Sequence, residues 1–320
     1  MPQLTLHLIE EARDFLKDKI RQTPIESSPI LDSIFGVPIY LKLECLQITG
    51  SFKIRGAYFY LSRLSKEQRK NGIGTCSAGN HGKGIAFAAQ KLGIKAHIYV
   101  TKNADPAKLE GIKTYGAEIH MSEFIGYDDT ERWAKAECAK QKLPFISPFD
   151  DEIIMAGNGG TLGLEILEDI PDVATIVVPV GGGGLAGGLS YFIKNKNPQC
   201  KIIGCQHEGS SGLKLSFEQG KAMTTMPSLE TIAAPLEGGI GEKCFQILRS
   251  RIDDVMLATE ESFKMAFRWM ISHHQYLVEP AGLVGIACLL QHKPQLTGPT
   301  VIVLSGRNTG LTMLEALLKD

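Results

Sequence analysis

Residues 177–188 read Val-Val-Pro-Val-Gly-Gly-Gly-Gly-Leu-Ala-Gly-Gly, and few stretches restrict a chain more. A β-branched run predicts a buried strand, and Leu185 onward predicts a helix. Four consecutive glycines between them leave the backbone bare, so N–H groups at Gly181, Gly182, Gly183, Gly184 and Leu185 can converge on an anion at the helix start. A merely flexible loop gives no reason for four glycines at that place, so a phosphate is the expected occupant. Which phosphate stays open from these residues alone. Gly182 to Gly187 also fits the G-x-G-x-x-G dinucleotide pattern, and Glu208 follows the next predicted strand, Lys201 to Gln206, although somewhat late for a ribose-binding acid.

The rest of the chain repeats the same strand–turn–helix rhythm. Leu8, Ala12, Phe15 and Leu16 share one helical face before Pro24, and Ile39, Leu41 and Leu43 alternate as a strand. Strands are expected at 75–77, 96–100 and 117–120, each leading into a helix, with a fourth short strand ending near Ile146. A second set is expected at 175–180, 201–206, 255–257 and 301–304, with helices over 263–270 and 282–290. Repeated βαβ units with right-handed crossovers predict an α/β protein with two open, twisted parallel sheets. A length of 320 residues accommodates two such domains.

Lys plus Arg number 34 against 35 Asp plus Glu, which provides no overall field for nucleic acid or an anionic membrane. No apolar run is long enough to span a bilayer, and the Met1-Pro2-Gln3-Leu4 start lacks a secretory pattern, so the cytoplasm is expected. Seven scattered cysteines without a C-x-x-C pair argue against structural zinc or a disulfide framework. No G-x-S-x-G elbow supports a serine hydrolase, and the adjacent His273 and His274 point apart on a helix.

Three further stretches carry chemistry. Thr49-Gly50-Ser51-Phe52-Lys53-Ile54-Arg55-Gly56-Ala57 places Lys53 just inside a helix start, against the helix dipole. Either it is a solvated lysine beside Arg55, or it is an amine held near an aldehyde, made nucleophilic by desolvation. Ser77-Ala78-Gly79-Asn80-His81-Gly82 lies where a strand enters a helix; Ser77 and Asn80 could cap that helix, or the segment could offer donors to a carboxylate. Ser305-Gly306-Arg307-Asn308 follows the last predicted strand. Glu279-Pro280-Ala281-Gly282 reads equally well as a helix start with proline in its first turn.

Together these motifs resemble the fold-type II (tryptophan synthase β-like) pyridoxal-phosphate enzymes, nearest the serine/threonine dehydratase (threonine ammonia-lyase) and serine racemase branch, over about Arg21 to Asn308. The resemblance implies that Lys53 binds the pyridoxal 5'-phosphate aldehyde and is the catalytic base, with Phe52 beside it. It implies that Gly181 to Gly184 and Leu185 hold the phosphate, that Asn80 contacts the ring hydroxyl, that Ser305 contacts the ring nitrogen and that Glu279 lies beside the cofactor. Ser77, Ala78, Gly79, Asn80 and His81 would bind the substrate carboxylate. A neutral serine at the ring nitrogen weakens the electron sink, which suits β-elimination. The resemblance also implies a large cofactor-binding domain from 1–68 and 146–320, a small inserted domain from 69–145, the cofactor in the cleft between them, and a homodimer. The regulatory domain of long biosynthetic threonine dehydratases is not expected.

The expected reaction is dehydration of L-threonine or L-serine, a small hydroxy amino acid, to a 2-oxo acid and ammonia. Ala78 stands where serine racemases carry a second base, which disfavours racemisation. Lys83 and Arg307 replace a usual glutamine and glycine, Ala233-Ala234-Pro235 replaces Ala-Asp-Gly, and residues 156–161 contain one extra glycine. The expected acidic ligands of a divalent metal are missing: Gln206, Ser210 and Gly212 stand there, with only Glu208 nearby, so no metal is expected. Serine racemisation, 3-hydroxyaspartate dehydration, a nicotinamide-dependent oxidoreductase and a non-catalytic scaffold are the alternatives.

Overall fold

The computed structural model describes residues 3–319. Nine strands form two sheets: β1 (Ile25–Ser27), β2 (Ile39–Lys42), β3 (Ile73–Cys76), β4 (Ala96–Val100), β5 (Glu118–Met121), β6 (Thr175–Pro179), β7 (Lys201–His207), β8 (Asp254–Ala258) and β9 (Thr300–Val303). The larger sheet runs β1-β2-β9-β6-β7-β8 and the smaller β3-β4-β5. Every pairing is parallel except β1 with β2. Central strands β6 and β9 are buried on both faces, as their unbroken apolar sequences require.

Two expectations change. Around Ile146 the chain makes only an isolated bridge, Gly74 with Phe145. Pro144 offers a carbonyl to Gly74 but has no N–H, Ile146 returns one bond to Gly74, and Pro148 follows at once, so no ladder can grow. The antiparallel β1 was not legible: three residues are too short for an alternation to register.

The segment 156–160, which holds the extra glycine, is a turn of π-helix continuing into the helix Thr161–Asp169. Its glycines permit backbone contact with neighbouring helices. A Cβ at Gly159 would lie 1.9 Å from the Leu185 carbonyl oxygen, and one at Gly157 would lie 2.6 Å from the Cα of Gly56. The extra glycine, Gly160, accepts the Ile9 side chain, whose nearest atom would be 2.6 Å from an added Cβ. Asn158 inside this turn accepts the Gly56 N–H at 2.8 Å. The π-turn thus binds the lysine-bearing helix, Lys53–Ser62, to the helix that follows the four glycines, Gly184–Lys196.

The same lysine-bearing helix is pinned by a buried charge cluster. Arg55, 1% exposed, donates to Glu44 through Nε and Nη2 at 2.8 and 2.7 Å, and to Glu165 at 2.7 and 2.9 Å. Lys42 joins Glu165 at 2.9 Å and Asp169 at 3.3 Å. Burial alone would push the Glu44 carboxyl up, but the Arg55 guanidinium and its hydrogen bonds hold it below the usual carboxylate range. Arg55 is therefore a structural anchor and no companion of a solvated lysine.

All seven cysteines are reduced and buried. Burial pushes the Cys45, Cys76 and Cys200 thiols up to about 12.

Candidate active site

The site forms where the helix Lys53–Ser62, the helix Asn80–Leu92, the glycine turn and the segment after β9 meet. Lys53 is the first residue of its helix. Its Nζ donates to the Pro148 carbonyl at 2.7 Å and lies 5.3 Å from the Phe52 ring centre. Desolvation pulls the ammonium down to about 8. The lysine is thus poised to supply a neutral amine close to physiological pH.

Pro148 also leads directly to the glycine turn. Phe149 lies against Gly182, where an added Cβ would come within 2.4 Å of the ring, and against Gly184, where one would come within 2.8 Å of the Phe149 Cα. Gly183 has φ of +96°, and its missing Cβ would strike Cys244 at 2.8 Å. Only glycine combines that dihedral with that contact. Among the described residues no acceptor meets the N–H groups of Gly182, Gly183, Gly184 or Leu185. These donors sit at the positive end of the 13-residue helix Gly184–Lys196, an arrangement suited to a phosphate.

On the opposite side, the Phe52 N–H donates to the Ser305 carbonyl at 3.2 Å, and Ser51 pairs with Gly306. Ser305 is buried, and its hydroxyl meets no partner among the described residues. Gly306 is the point of closest approach: a Cβ there would stand 2.2 Å from Glu279 Oε1, 3.1 Å from Ser51 Cβ and 3.2 Å from Asn80 Nδ2. Asn80 donates to Glu279 at 2.6 Å and accepts from Asn308 Nδ2 at 2.6 Å. Asn308 also donates to the Thr49 carbonyl and accepts from Lys83 at 2.9 Å. Burial raises the Glu279 carboxyl to about 7, against the opposing pull of Asn80, Lys108 and Lys83.

The side-chain caps anticipated at Ser77 and Asn80 are absent. Gly79 is the cap residue, Ser77 Oγ accepts from the Gly79 N–H, and Asn80 turns its amide toward Glu279 and Asn308. Ala78 and Gly79, with Lys83, Lys108 and Asn308, line a cavity of about 170 Å³. His81, 2% exposed, faces the lysine; neither ring nitrogen is hydrogen bonded, and the nearby Ile146 carbonyl is taken by Thr75. Desolvation, reinforced by Lys53, holds its imidazole well below the usual histidine range and therefore neutral. Gly84 lets the two helices touch at the lysine itself, its missing Cβ lying 3.2 Å from Lys53 C.

Glu279 combines the two readings of its segment: it precedes the proline-led turn Pro280–Leu283 and directs its side chain into the network. Of the departures, Arg307 is exposed, and Gln206 accepts from the Leu213 and Lys214 N–H groups, capping the helix Gly212–Gln219. Glu237 accepts from Ser228 and Leu229. The Pro235 carbonyl covers Gly181. Sequence reasoning missed Pro148, Phe149 and Lys83 as parts of the site. The signal for the first two was the Ser147-Pro148-Phe149 turn directly after the aborted strand.

A buried amine of lowered basicity, a row of unclaimed N–H donors at a helix start and a buried hydroxyl are the groups that an aldehyde bearing a phosphate calls for. A family model described as pyridoxal-phosphate dependent enzyme matches residues 16–306, and the chain belongs to that family. Pyridoxal phosphate is its cofactor, and the fold is that of the fold-type II enzymes. The chain is similar to L-threonine ammonia-lyase of Thermotoga maritima, 38% identical over 98% of this chain and 78% of the relative. It is also similar to the catabolic L-threonine dehydratase of Staphylococcus aureus strain N315, 37% identical over 97% of this chain and 91% of that one. Among solved structures, maize serine racemase superposes with a TM-score of 0.92 at 32% identity, covering 97% of this chain and 95% of that one.

The residues present fit the cofactor. The unclaimed N–H groups at the glycine turn match its phosphate, and the lysine whose ammonium is lowered to about 8 matches its aldehyde. Because only the neutral amine attacks an aldehyde, reconstitution of the cofactor-free protein with pyridoxal phosphate is expected to accelerate with pH and level off above a midpoint near 8. An ordinary lysine would give a midpoint some two units higher. Stopped-flow absorbance across pH 6 to 10 on the wild type, with Lys53→Ala as the blank, measures it.

Proposed function

We propose that the protein is an L-threonine/L-serine dehydratase, cleaving a 3-hydroxy amino acid to a 2-oxo acid and ammonia. The observation that carries this reading is a single proton-accepting amine, Lys53, at the anion cradle, with Ala78 in place of a second base. Similarity to L-threonine ammonia-lyase and dehydratase along nearly the whole chain supports it.

Pyridoxal phosphate, when bound, supplies an aldehyde for the substrate amine and a conjugated ring that withdraws electrons from the Cα–H bond. Gly181 to Gly184 and Leu185 would hold its phosphate, Ser305 would meet its ring nitrogen, Asn80 its ring hydroxyl, and Phe52 would lie beside Lys53. Glu279 holds Asn80 in orientation through the 2.6 Å bond. Ser77, Ala78, Gly79, Asn80 and His81 form the wall that receives the substrate carboxylate.

Lys53, whose burial lowers its ammonium to about 8 and so enlarges its neutral fraction, takes the α-proton in that neutral form. The β-hydroxyl takes up a proton and leaves as water, so the step removes H from Cα and OH from Cβ, with Lys53 as the carrier of that proton. The resulting enamine takes up water and yields the 2-oxo acid and ammonia, so no external oxidant is needed. Residues 1–68 and 146–320 act as the large domain, with 69–145 as the small one, in a cytoplasmic homodimer.

The test is product analysis with purified protein and L-threonine, L-serine or 3-hydroxyaspartate. Equimolar 2-oxobutanoate and ammonia from threonine are expected, with little D-serine formed from L-serine. Ala78→Ser is expected to raise racemisation relative to elimination by about 10-fold or more, because it restores a proton carrier facing Lys53. A wild type that racemises serine faster than it eliminates would overturn the reading in favour of a racemase.

A further inference from the structure

A second group of ligand-bearing side chains lies on the small sheet, apart from the catalytic residues. Strands β4 and β5 pair in parallel with His97 opposite Glu118 and Tyr99 opposite His120. Alternate residues of a strand share a face, so His97 and Tyr99 stand side by side, and Glu118 and His120 stand beside them. The structure brings His97 Nδ1 to 3.0 Å from His120 Nε2, His97 Nδ1 to 3.8 Å from Glu118 Oε2, and His120 Nε2 to 3.5 Å from Glu118 Oε1. His97, His120 and Glu118 each offer one donor atom within 4.8 Å of the others.

Those separations, 3.0 to 3.8 Å with a different carboxylate oxygen toward each ring, bracket the spacing of a tetrahedral ion's ligands. Bonds of about 2.0–2.1 Å from zinc to nitrogen and oxygen put neighbouring ligand atoms roughly 3.3 Å apart. A plain hydrogen-bonded histidine pair explains the 3.0 Å contact but not the carboxylate facing both rings. The rings are also restrained. His97 is 5% exposed, and His120 stacks on Tyr99 at 4.8 Å between ring centres and on His97 at 5.2 Å. Tyr99 is in turn fixed edge-on by Trp133 of the helix Tyr127–Lys140. Preformed ligands lower the ordering cost of binding.

Glu118 is shared. Its Oε2 accepts from Lys95 at 2.9 Å, which leaves Oε1 toward His120. The half-exposed carboxylate gives the fourth coordination position access to water. Nitrogen and oxygen donors without thiolate suit zinc, nickel(II) or copper(II) and are a poor match for magnesium or calcium. The seven thiols are buried and do not compete in the native protein.

We propose that His97, Glu118 and His120 form a binding site for one borderline divalent transition-metal ion, zinc foremost, which cross-links the edge strand β5 to β4. The ion would take three protein ligands and one water. The site is built from the small sheet alone and takes no part in holding the cofactor or the substrate.

Isothermal titration of the dialysed holoenzyme with zinc chloride, in a non-chelating buffer without amino-acid substrate, tests this. One equivalent is expected to bind, and magnesium chloride is expected to give no heat at the same concentration. His120→Phe retains the aromatic stack and Glu118→Gln changes only an exposed side chain, so both should fold; each is expected to weaken zinc binding by about 10-fold or more through loss of a ligand. Circular dichroism and retained cofactor absorbance establish folding. A wild type that binds no zinc in the micromolar range, or variants that bind it as tightly as the wild type, overturns the proposal.

Discussion

Lys53→Ala is expected to reduce 2-oxo acid release from L-threonine by more than about 10³-fold, since one side chain serves as cofactor anchor and proton acceptor. The variant should also lose the visible absorbance of lysine-bound cofactor while keeping its fold, because Lys53 makes one hydrogen bond, to Pro148. Steady-state assay and an absorption spectrum on the same sample measure both effects. Activity within tenfold of the wild type would remove Lys53 from the chemistry. In that case the unclaimed N–H groups of the glycine turn would need another explanation.

Arg55→Met is expected to cost about 3–5 kcal/mol of stability, the range for breaking a buried ion pair on one side. Methionine fills much of the space but leaves Glu44, fully buried, and Glu165 without their shared cation. The deficit should depend on pH. In the wild type the Glu44 carboxyl is held below its unfolded value, so its contribution is present above about pH 4.5 and is lost as pH falls through the folded value. The gap between wild type and variant should therefore be widest at neutral pH and narrow in acid. Urea unfolding of both proteins at several pH values measures it, and a gap under 1 kcal/mol at pH 7 would show that Glu44 finds another partner.

What the sequence disclosed and what it withheld follow from range. The glycine turn, the parallel strands and the position of Lys53 at a helix start are local patterns, set by residues within a dozen positions of one another, and the fold contains them. The anchoring role of Arg55 was not legible, because its partners stand 11 and 110 residues away. The π-turn at 156–160 was not legible, because glycines alone do not say that they mark contact between backbones. The choice between cap and ligand at Asn80 stays open locally, because its partners Glu279 and Asn308 are 199 and 228 residues distant. Ser305 and Glu279 were legible only through resemblance to a family, since nothing in their neighbourhood states what they face.

The burial of every thiol has a practical consequence. A cysteine that cannot meet solvent cannot be alkylated, so in the native protein a thiol reagent reports openings of the structure instead of surface chemistry. Cys244 is the most informative of the seven, because it abuts Gly183 and lies close enough to Lys53 to influence its charge. Its labelling rate would clock how often the cofactor cradle comes apart. The chain thus carries an internal timer for its own active site, readable by mass spectrometry with a thiol reagent and no engineered label.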